Sequence, residues 1–551
     1  MLNDLDLSGI QDERAREVIV RLLNLVEEQG RELAEARAEI QRLRDENNRL
    51  KGEQGKPTIK AKRRDPQARQ DYSSEQERRQ PKKREGRSKI ERLTVTREEI
   101  ATVDRALLPV DAEFKGYEAV VVQDLRLERE TIRFHKEKYY SHTTGQSYLA
   151  ALPVGYEGQF GPGLRALVLV WYYGSQMSEP KIVDLLHEVG IAISAGQVSN
   201  LLIKDQDDFH AEQDAAYAAG LRSSPWQHTD DTGTRVNGEN HHCHTVCNPL
   251  HTTYFTAPSK DRLSVLDALS NGRPRLFRLN DEAFDLLAGL AVSGLTRQCL
   301  REKFPVDQSL SDATLNALLT LHLPHLGSQT RKRIFDGLAI AAYHAQDEWP
   351  VVQLLLCDDA PQFGLLTDEL ALCWIHEGRH YTKLTPLVAA HRQLLADFRT
   401  KFWAFYDRLL AYRDHPSSEE RDHLSADFDT LFSTTTGYWA LDDRIATTRS
   451  HKAALLKVLE HPELPLHNNP AELAARARVR KRDVSFGPRT RDGTKAWDTF
   501  MSLAATTKKL GLSFFQFIHD RITRAYRIPP LAELIDQRAK ALNLGASWAA
   551  G

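Results

Sequence analysis

The run VVQLLLCDDAPQF, residues 351–363, constrains the fold more than any other stretch. A short, continuous apolar segment that ends in polar residues reads as a buried central strand. Its partners must come from elsewhere in the chain. From residue 226, WQHTDDTGTRVNGENHHCHTVCNPLHTTYFTAP carries strand signals with turns at Asn237-Gly238 and Asn248-Pro249. That pattern predicts a β-meander with a tight hairpin. Between these strand regions lies a mostly helical stretch, roughly 262–345. Residues 387–460 and 494–545 are helical as well. A sheet assembled from distant strands, with helices between them, predicts an α/β or mixed α+β core.

Residues 12–52 predict one long helix. With Ile19 at heptad position a, the a and d positions hold Ile19, Leu22, Val26, Gln29, Leu33, Ala36, Ile40, Leu43, Asn47 and Leu50. This seam predicts a coiled coil, with Asn47 at an a position suited to fixing register in a parallel dimer. The alternative is a solitary helix packed on its own domain. Residues 53–90 are rich in Lys, Arg, Gln and Pro and nearly free of large apolar side chains. They read as a flexible basic linker. Its Lys60, Lys62, Arg63 and Arg64 are candidates to hold phosphates by counterion release.

Residues 91–152 predict a small β-rich module, because YEAVVVQDLRLERETIRFHKEKYYS alternates apolar and polar residues. Residues 153–222 are helical. Within them, SEPKIVDLLHEVG and SAGQVSNLLIKD form a helix-turn-helix pattern, with Ser178 and Ser194 as caps and Gly190 as the stop. Such a pair would lay its second helix in a major groove. A larger strand-and-helix unit is expected over 223–510 and a C-terminal helical region over 511–551.

Composition narrows the setting. Hydrophobic residues make up 41% of the 551, enough for a sizeable core, and the net charge is only −2. Global charge therefore says nothing about nucleic acid, and local charge must decide. Cys243, Cys247, Cys299, Cys357 and Cys373 are too few for a disulfide framework and fit a reducing cytoplasm. The first residues do not read as a signal peptide, and no run reaches a membrane span.

Three acidic points stand out. Asp230-Asp231 lies in the first strand region, Asp358-Asp359 ends the apolar strand, and Glu472 follows HNNPA. Carboxylates from strand ends and an adjacent helix can hold two divalent ions, with hard oxygen ligands suited to Mg²⁺ or Mn²⁺. An Asp at a strand end is also a common turn residue, and Asn468 or Asn469 with Pro470 makes an ordinary helix start. Beyond Glu472, the run RARVRKR places Arg476, Arg478, Arg480, Lys481 and Arg482 close together. Their spacing suggests a strand or loop edge that neutralises phosphates. His241, His242, Cys243, His244 and Cys247 alternate on a predicted strand and so do not share one metal. Cys373 and His376 share a helix face, where packing for Cys373-Trp374 and a polar or DNA-facing role for His376 are expected.

HTDDTGTRV, LLLCDDAPQF, CWIHEGRHYTKL and PLHNNPAELAARARVRKR occur in the order of the insertion-sequence 66 family of bacterial transposases (TnpC type), which this chain resembles. The N-terminal heptads, the basic linker, ALPVGYEGQFGPGLRALV and KKLGLSFFQFIHDRI resemble that family too. The resemblance implies an acid triad on an RNase H-like core with helical insertions at about 262–345 and 387–460. It maps the triad to Asp230, Asp358 and Glu472 as catalytic residues and metal ligands, with Asp231 and Asp359 as neighbouring alternatives. It further implies two Mg²⁺ or Mn²⁺ ions, cleavage of DNA strands at terminal inverted repeats, and joining of 3′-hydroxyl ends to target DNA. A homodimer or larger assembly, small accessory proteins of the same element, no membrane, and a bacterial cytoplasmic, nucleoid-associated location complete the expectation. Family members commonly carry a Cys-based zinc module; residues 91–152 hold no Cys, so no structural zinc is expected. The alternatives are a transposase-derived DNA-binding protein without catalysis and a nuclease of the same fold.

Overall fold

The computed structural model describes residues 12–50, 93–109, 111–125, 128–156 and 158–550. Lys60, Lys62, Arg63 and Arg64, with the whole of the basic linker, lie outside the described residues. The chain begins with helix α1 (Glu13–Leu50). Its first half docks on the chain through Leu23 and Asn24, which are buried. Asn24 donates to the Gly437 carbonyl at 2.8 Å and accepts from the Trp439 amide at 3.0 Å. Leu22, Leu33, Ile40 and Leu43 of the heptad seam are exposed. The docking face and the heptad seam are therefore different faces of one helix.

Residues 93–137 form no strand among those described, and the expected meander shrinks to one hairpin, β1 (Lys138–Ser141) and β2 (Gln146–Leu149). The reason is the lack of a partner: Val120 and Val122 alternate correctly but are 79% and 78% exposed. An alternating run becomes a strand only when another strand takes up its hydrogen bonds.

Helices α2 (Pro162–Leu169), α3 (Glu179–Glu188), α4 (Ala195–Ile203) and α5 (Asp207–Arg222) follow. Ser194 caps α4 by accepting from the Gln197 amide, and Gly190 takes the left-handed conformation after α3. Ser178 stands at the start of α3 but makes no side-chain cap bond.

The main sheet holds β3 (Trp226–Val236), β4 (Glu239–Cys247), β5 (Thr252–Ala257), β8 (Leu354–Cys357) and β9 (Glu369–Leu372), in the order β5-β4-β3-β8-β9. The first three are antiparallel neighbours; β3, β8 and β9 run parallel. Asn237 and Gly238 both have positive φ, 51° and 82°, which the two-residue turn between β3 and β4 requires. Between β5 and β8 lie α6 (Arg262–Leu269), β6 (Phe277–Arg278), α7 (Asp281–Gly289), α8 (Gly294–Lys303), β7 (Ser309–Leu310), α9 (Asp312–His322) and α10 (Ser328–His344). After β9 come α11 (Trp374–Lys383), α12 (Ala389–Asp414), α13 (Ser418–Leu431), α14 (Trp439–Ser450) and α15 (Lys452–Leu455). The chain then returns to the sheet with α16 (Asn469–Ser485) and α17 (Arg491–Lys509), and ends in α18 (Phe514–Ile522) and α19 (Leu531–Leu542).

Strand alternation sorts the sheet into two faces. Leu355, Cys357 and Val246 point into the large core shared with α6, α7 and α10. Trp226, Leu354, Leu356 and Ala371 point the other way and meet Leu464. Helices α16 and α17 cover this second face. The α2–α5 group shares its core with α17–α19, so it is joined to the sheet's helical cover.

Edge strand β5 is closed by a polar stripe on α17. Asp498 Oδ2, Ser502 Oγ and Thr506 Oγ1 accept from the amides of Thr256, Tyr254 and Thr252, at 2.8, 2.9 and 3.2 Å. Four helical residues rise about 6 Å and two strand residues about 6.7 Å. The i, i+4, i+8 stripe therefore matches every second outward amide and leaves no open edge there.

Candidate active site

The site forms where β3 and β8 carry their acids past the covered part of the second face. Trp226 pairs with Leu354 and His228 with Leu356 in parallel register. The same two-residue step brings Asp230 level with Asp358. Asp230 lies on the face that α16 covers, and Asp358, just past the end of β8, is close enough for its charge to raise the Asp230 carboxyl. Asp231 belongs to the opposite face, where its Oδ2 accepts from Gln362 Nε2 at 2.8 Å. Asp359 turns to α11, with His380 Nε2 3.5 Å from its Oδ2.

Helix α16 brings the third acid. Asn468 stands at its N-cap without making a side-chain cap bond. Its side chain instead grips β3: Nδ2 donates to the Thr229 carbonyl at 2.7 Å, and Oδ1 lies 3.0 Å from His228 Nδ1. Burial pulls the His228 imidazole down to about 3, so the ring is neutral and donates from Nδ1. The Asn468 amide donates to Cys373 Sγ at 3.2 Å, fixing the same turn to the start of α11. Glu472, in the first turn of α16, is near enough to Asp230 for its charge to act on that carboxyl.

The electrostatics are those of crowded carboxylates. Burial pushes the Asp230 carboxyl up to about 7; the Asp231 amide opposes this, while the charges of Asp358, Asp231 and Glu472 add to it. Burial also raises Asp358, against a hydrogen bond from the Ala360 amide. Glu472 has cationic company: Arg379 donates to both carboxylate oxygens, at 3.4 and 3.2 Å. His376 Nε2 accepts from Arg379 at 3.0 Å and lies 3.6 Å from Glu472. Ligand atoms of Cys373, His376 and Glu472 all lie within 4.8 Å of one another. His376 therefore faces the acids. Trp374 is fully buried against Phe402, Phe405 and Phe428. The oxygen donors of Asp230 and Asp358, whose carboxyls are raised by burial and by their neighbours' charges, are of the hard kind that divalent cations take.

The basic run after Glu472 is helical, which corrects the strand or loop edge expected from its spacing. Only part of it faces solvent. Arg476 and Arg480 are exposed and Arg482 is half-buried. Arg482 donates to the Gly233 carbonyl of β3. Arg478 and Lys481 are buried, so the phosphate contacts expected of them are overturned. Arg478 pairs with Asp498 at 2.8 Å and also donates to Thr256 Oγ1 at 2.8 Å. Lys481 donates to the Met177 carbonyl at 3.0 Å and sits 3.2 Å from the Tyr172 ring centre. Burial pulls its ammonium down to about 7. These two cations bind α16 to α17, β5 and the segment before α3. The signal was in the sequence, since residues three apart on a helix share a face.

The His-rich strand β4 behaves as alternation requires. Cys243 pairs laterally with Thr232 and His244 with Asp231, on opposite faces. Sequence reasoning missed His228, Gln362, Arg379 and the tertiary role of Asn468. Only His228 carried a hint, lying two residues before Asp230 and hence on the same face.

Residues 157–272 match the model of the Transposase IS66 family. An uncharacterized protein of Sinorhizobium fredii (strain NBRC 101917 / NGR234), y4jO, is 33% identical over 332 residues, which make up 58% of this chain and 99% of that protein. The similarity thus has the character of a transposase. The chain belongs to the insertion-sequence 66 family of transposases. The matched stretch spans α2 to α6 and contains Asp230, whereas Asp358 and Glu472 lie beyond it.

Proposed function

We propose that this protein is a DNA transposase whose RNase H-like core uses Asp230, Asp358 and Glu472 as catalytic acids. The observation that supports this reading is that Asp230 and Asp358 follow the paired stretches of the parallel strands β3 and β8, while Glu472 opens the helix whose Asn468 bonds to β3. The order of strands, three antiparallel and then two parallel, supports an RNase H-like core. Two divalent ions held by the three carboxylates would supply activation of the attacking oxygen and neutralise charge at the reacting phosphate. The residues themselves position that chemistry. Asn468 and His228 fix the angle of α16, and Arg379 offers a guanidinium fork beside Glu472 for a DNA phosphate. Arg476, Arg480 and Arg482 lie along the same helix, toward phosphates flanking the site.

The substrates are the element's terminal inverted repeats and target DNA, with the 3′-hydroxyl ends joined to the target after cleavage. The exposed heptad seam of α1 supports a coiled-coil dimer that brings two element ends together. Residues 153–222 serve as the helix-turn-helix-like DNA-binding region and 223–510 as the catalytic core. Among the described residues no helix is long and apolar enough to cross a membrane.

The test incubates the protein with a labelled terminal-repeat duplex and Mg²⁺ or Mn²⁺, alongside Asp230→Ala, Asp358→Ala and Glu472→Ala. Wild type is expected to nick and join, and each variant to lose both products. The reading is wrong if wild type gives neither product with either ion, or if the variants equal it. Nicking without joined product would identify a nuclease of the same fold.

A further inference from the structure

A second group of metal-ligating side chains lies beside the triad, drawn from the residue next to Asp358, from α11 and from the end of α14. Asp359 ends β8's apolar run, Glu377 and His380 are three apart on one face of α11, and His451 follows α14. Ligand atoms of Asp359, Glu377 and His451 lie within 4.8 Å of one another. Two of the nitrogen–oxygen separations are informative. His380 Nε2 is 3.5 Å from Asp359 Oδ2, and His451 Nδ1 is 3.8 Å from Glu377 Oε2. Both are long for hydrogen bonds. Ligands about 2.1 Å from a tetrahedral ion stand about 3.4 Å apart, close to the His451–Glu377 separation.

The surroundings point the same way. His451 Nδ1 is buried and takes no hydrogen bond, an expensive state for a ring nitrogen unless something binds there. Glu377 is oriented from behind: Arg444 and Thr448 both donate to its Oε1, and Tyr381 bonds Thr448 at 2.6 Å. That support leaves Oε2 toward His451, the arrangement in which outer partners fix a ligating carboxylate.

We propose that Asp359, Glu377 and His451 form a binding site for a zinc-class divalent ion, with His380 as the outer partner of Asp359, distinct from the triad's own ligands. An imidazole with two carboxylates favours zinc over magnesium, which prefers oxygen alone. The site would staple α11 and the end of α14 to the loop after β8. It would thereby hold the turn that presents Asp358. It also gives the second acid of the Asp358-Asp359 pair a role of its own.

The test uses the full chain, dialysed after exposure to zinc and analysed for metal content, and separately loaded with cobalt(II) for its visible spectrum. Wild type is expected to retain one zinc per chain and give a tetrahedral cobalt spectrum without a thiolate charge-transfer band. His451→Gln is expected to lose the ion, and His380→Asn to weaken its retention. Asp359→Asn, at a half-exposed position, repeats the test should either histidine variant fail to fold by circular dichroism. Asp358→Ala and Glu472→Ala should retain zinc, so failure of the triad reading leaves this result intact. No retained zinc in wild type, equal retention in the folded variants, loss in Glu472→Ala, or a thiolate band pointing to Cys373 would each overturn the proposal.

Discussion

Asn468 Oδ1 lies 3.0 Å from His228 Nδ1, joining a helix start to a strand far away in sequence. The same side chain donates to the Thr229 carbonyl, so a single amide sets both the height and the angle of α16. Removing it in Asn468→Ala strands a neutral buried imidazole and a strand carbonyl. Each unsatisfied group costs about 1–3 kcal/mol. The urea midpoint should fall accordingly, and strand cleavage should fall further than the stability loss explains, because Glu472 loses its aim. Cleavage measured where the variant is still fully folded checks this; unchanged cleavage there would refute the positioning role.

Asp230 predicts a pH dependence. Its carboxyl moves from 3.8 to about 7 in the fold. The folded state therefore holds a proton that the unfolded chain releases earlier. This contribution is fully present below about pH 4 and is lost as pH rises through about 7. Metal-free protein should lose thermal stability across that window, and Mn²⁺ should stabilise it more at pH 8 than at pH 6. Asp230→Asn should flatten both trends; thermal melts at a series of pH values decide.

The basic residues of α16 should separate by face. Arg476→Ala and Arg480→Ala, on the exposed face, should change stability by no more than about 0.5 kcal/mol while weakening DNA binding and lowering its salt dependence. Asp498→Ala should do the reverse. It leaves buried Arg478 unpaired, a loss of about 3–5 kcal/mol. Denaturant titration beside salt-dependent DNA titration distinguishes the two classes.

The two faces of α1 should also separate. Leu33→Asp and Ile40→Asp lie on the open seam and should convert a dimer to a monomer in sedimentation without shifting the main unfolding transition. Asn24→Ala breaks the contacts to Gly437 and Trp439 and should free the helix from the body. Increased proteolysis within 13–50 with dimerisation retained would be its signature. A monomeric wild type would remove the basis for the coiled coil.

Much of the architecture could be read locally. The apolar run at 354–357 declared a buried strand, and Asn237-Gly238 declared a hairpin, because one needs only an apolar sequence and the other only two residues that accept positive φ. The alternating run around Val120 misled for the complementary reason: a strand depends on a partner that the run does not contain. The basic run misled through its spacing, since Pro470 in the first turn and the helical burial of Ala471, Ala475 and Arg478 decide its form.

By itself the sequence determined which segments are apolar, where the turns fall, and which acids sit at strand ends and at a helix start. Those properties reside in neighbouring residues and their periodicity. Only the tertiary structure decided that Asp230 and Asp358 follow paired stretches of neighbouring strands, that Asn468 bonds to a strand instead of capping, and that Arg478 and Lys481 are structural cations. Each depends on partners far apart along the chain, and burial among those partners sets both the charge and the direction of a side chain.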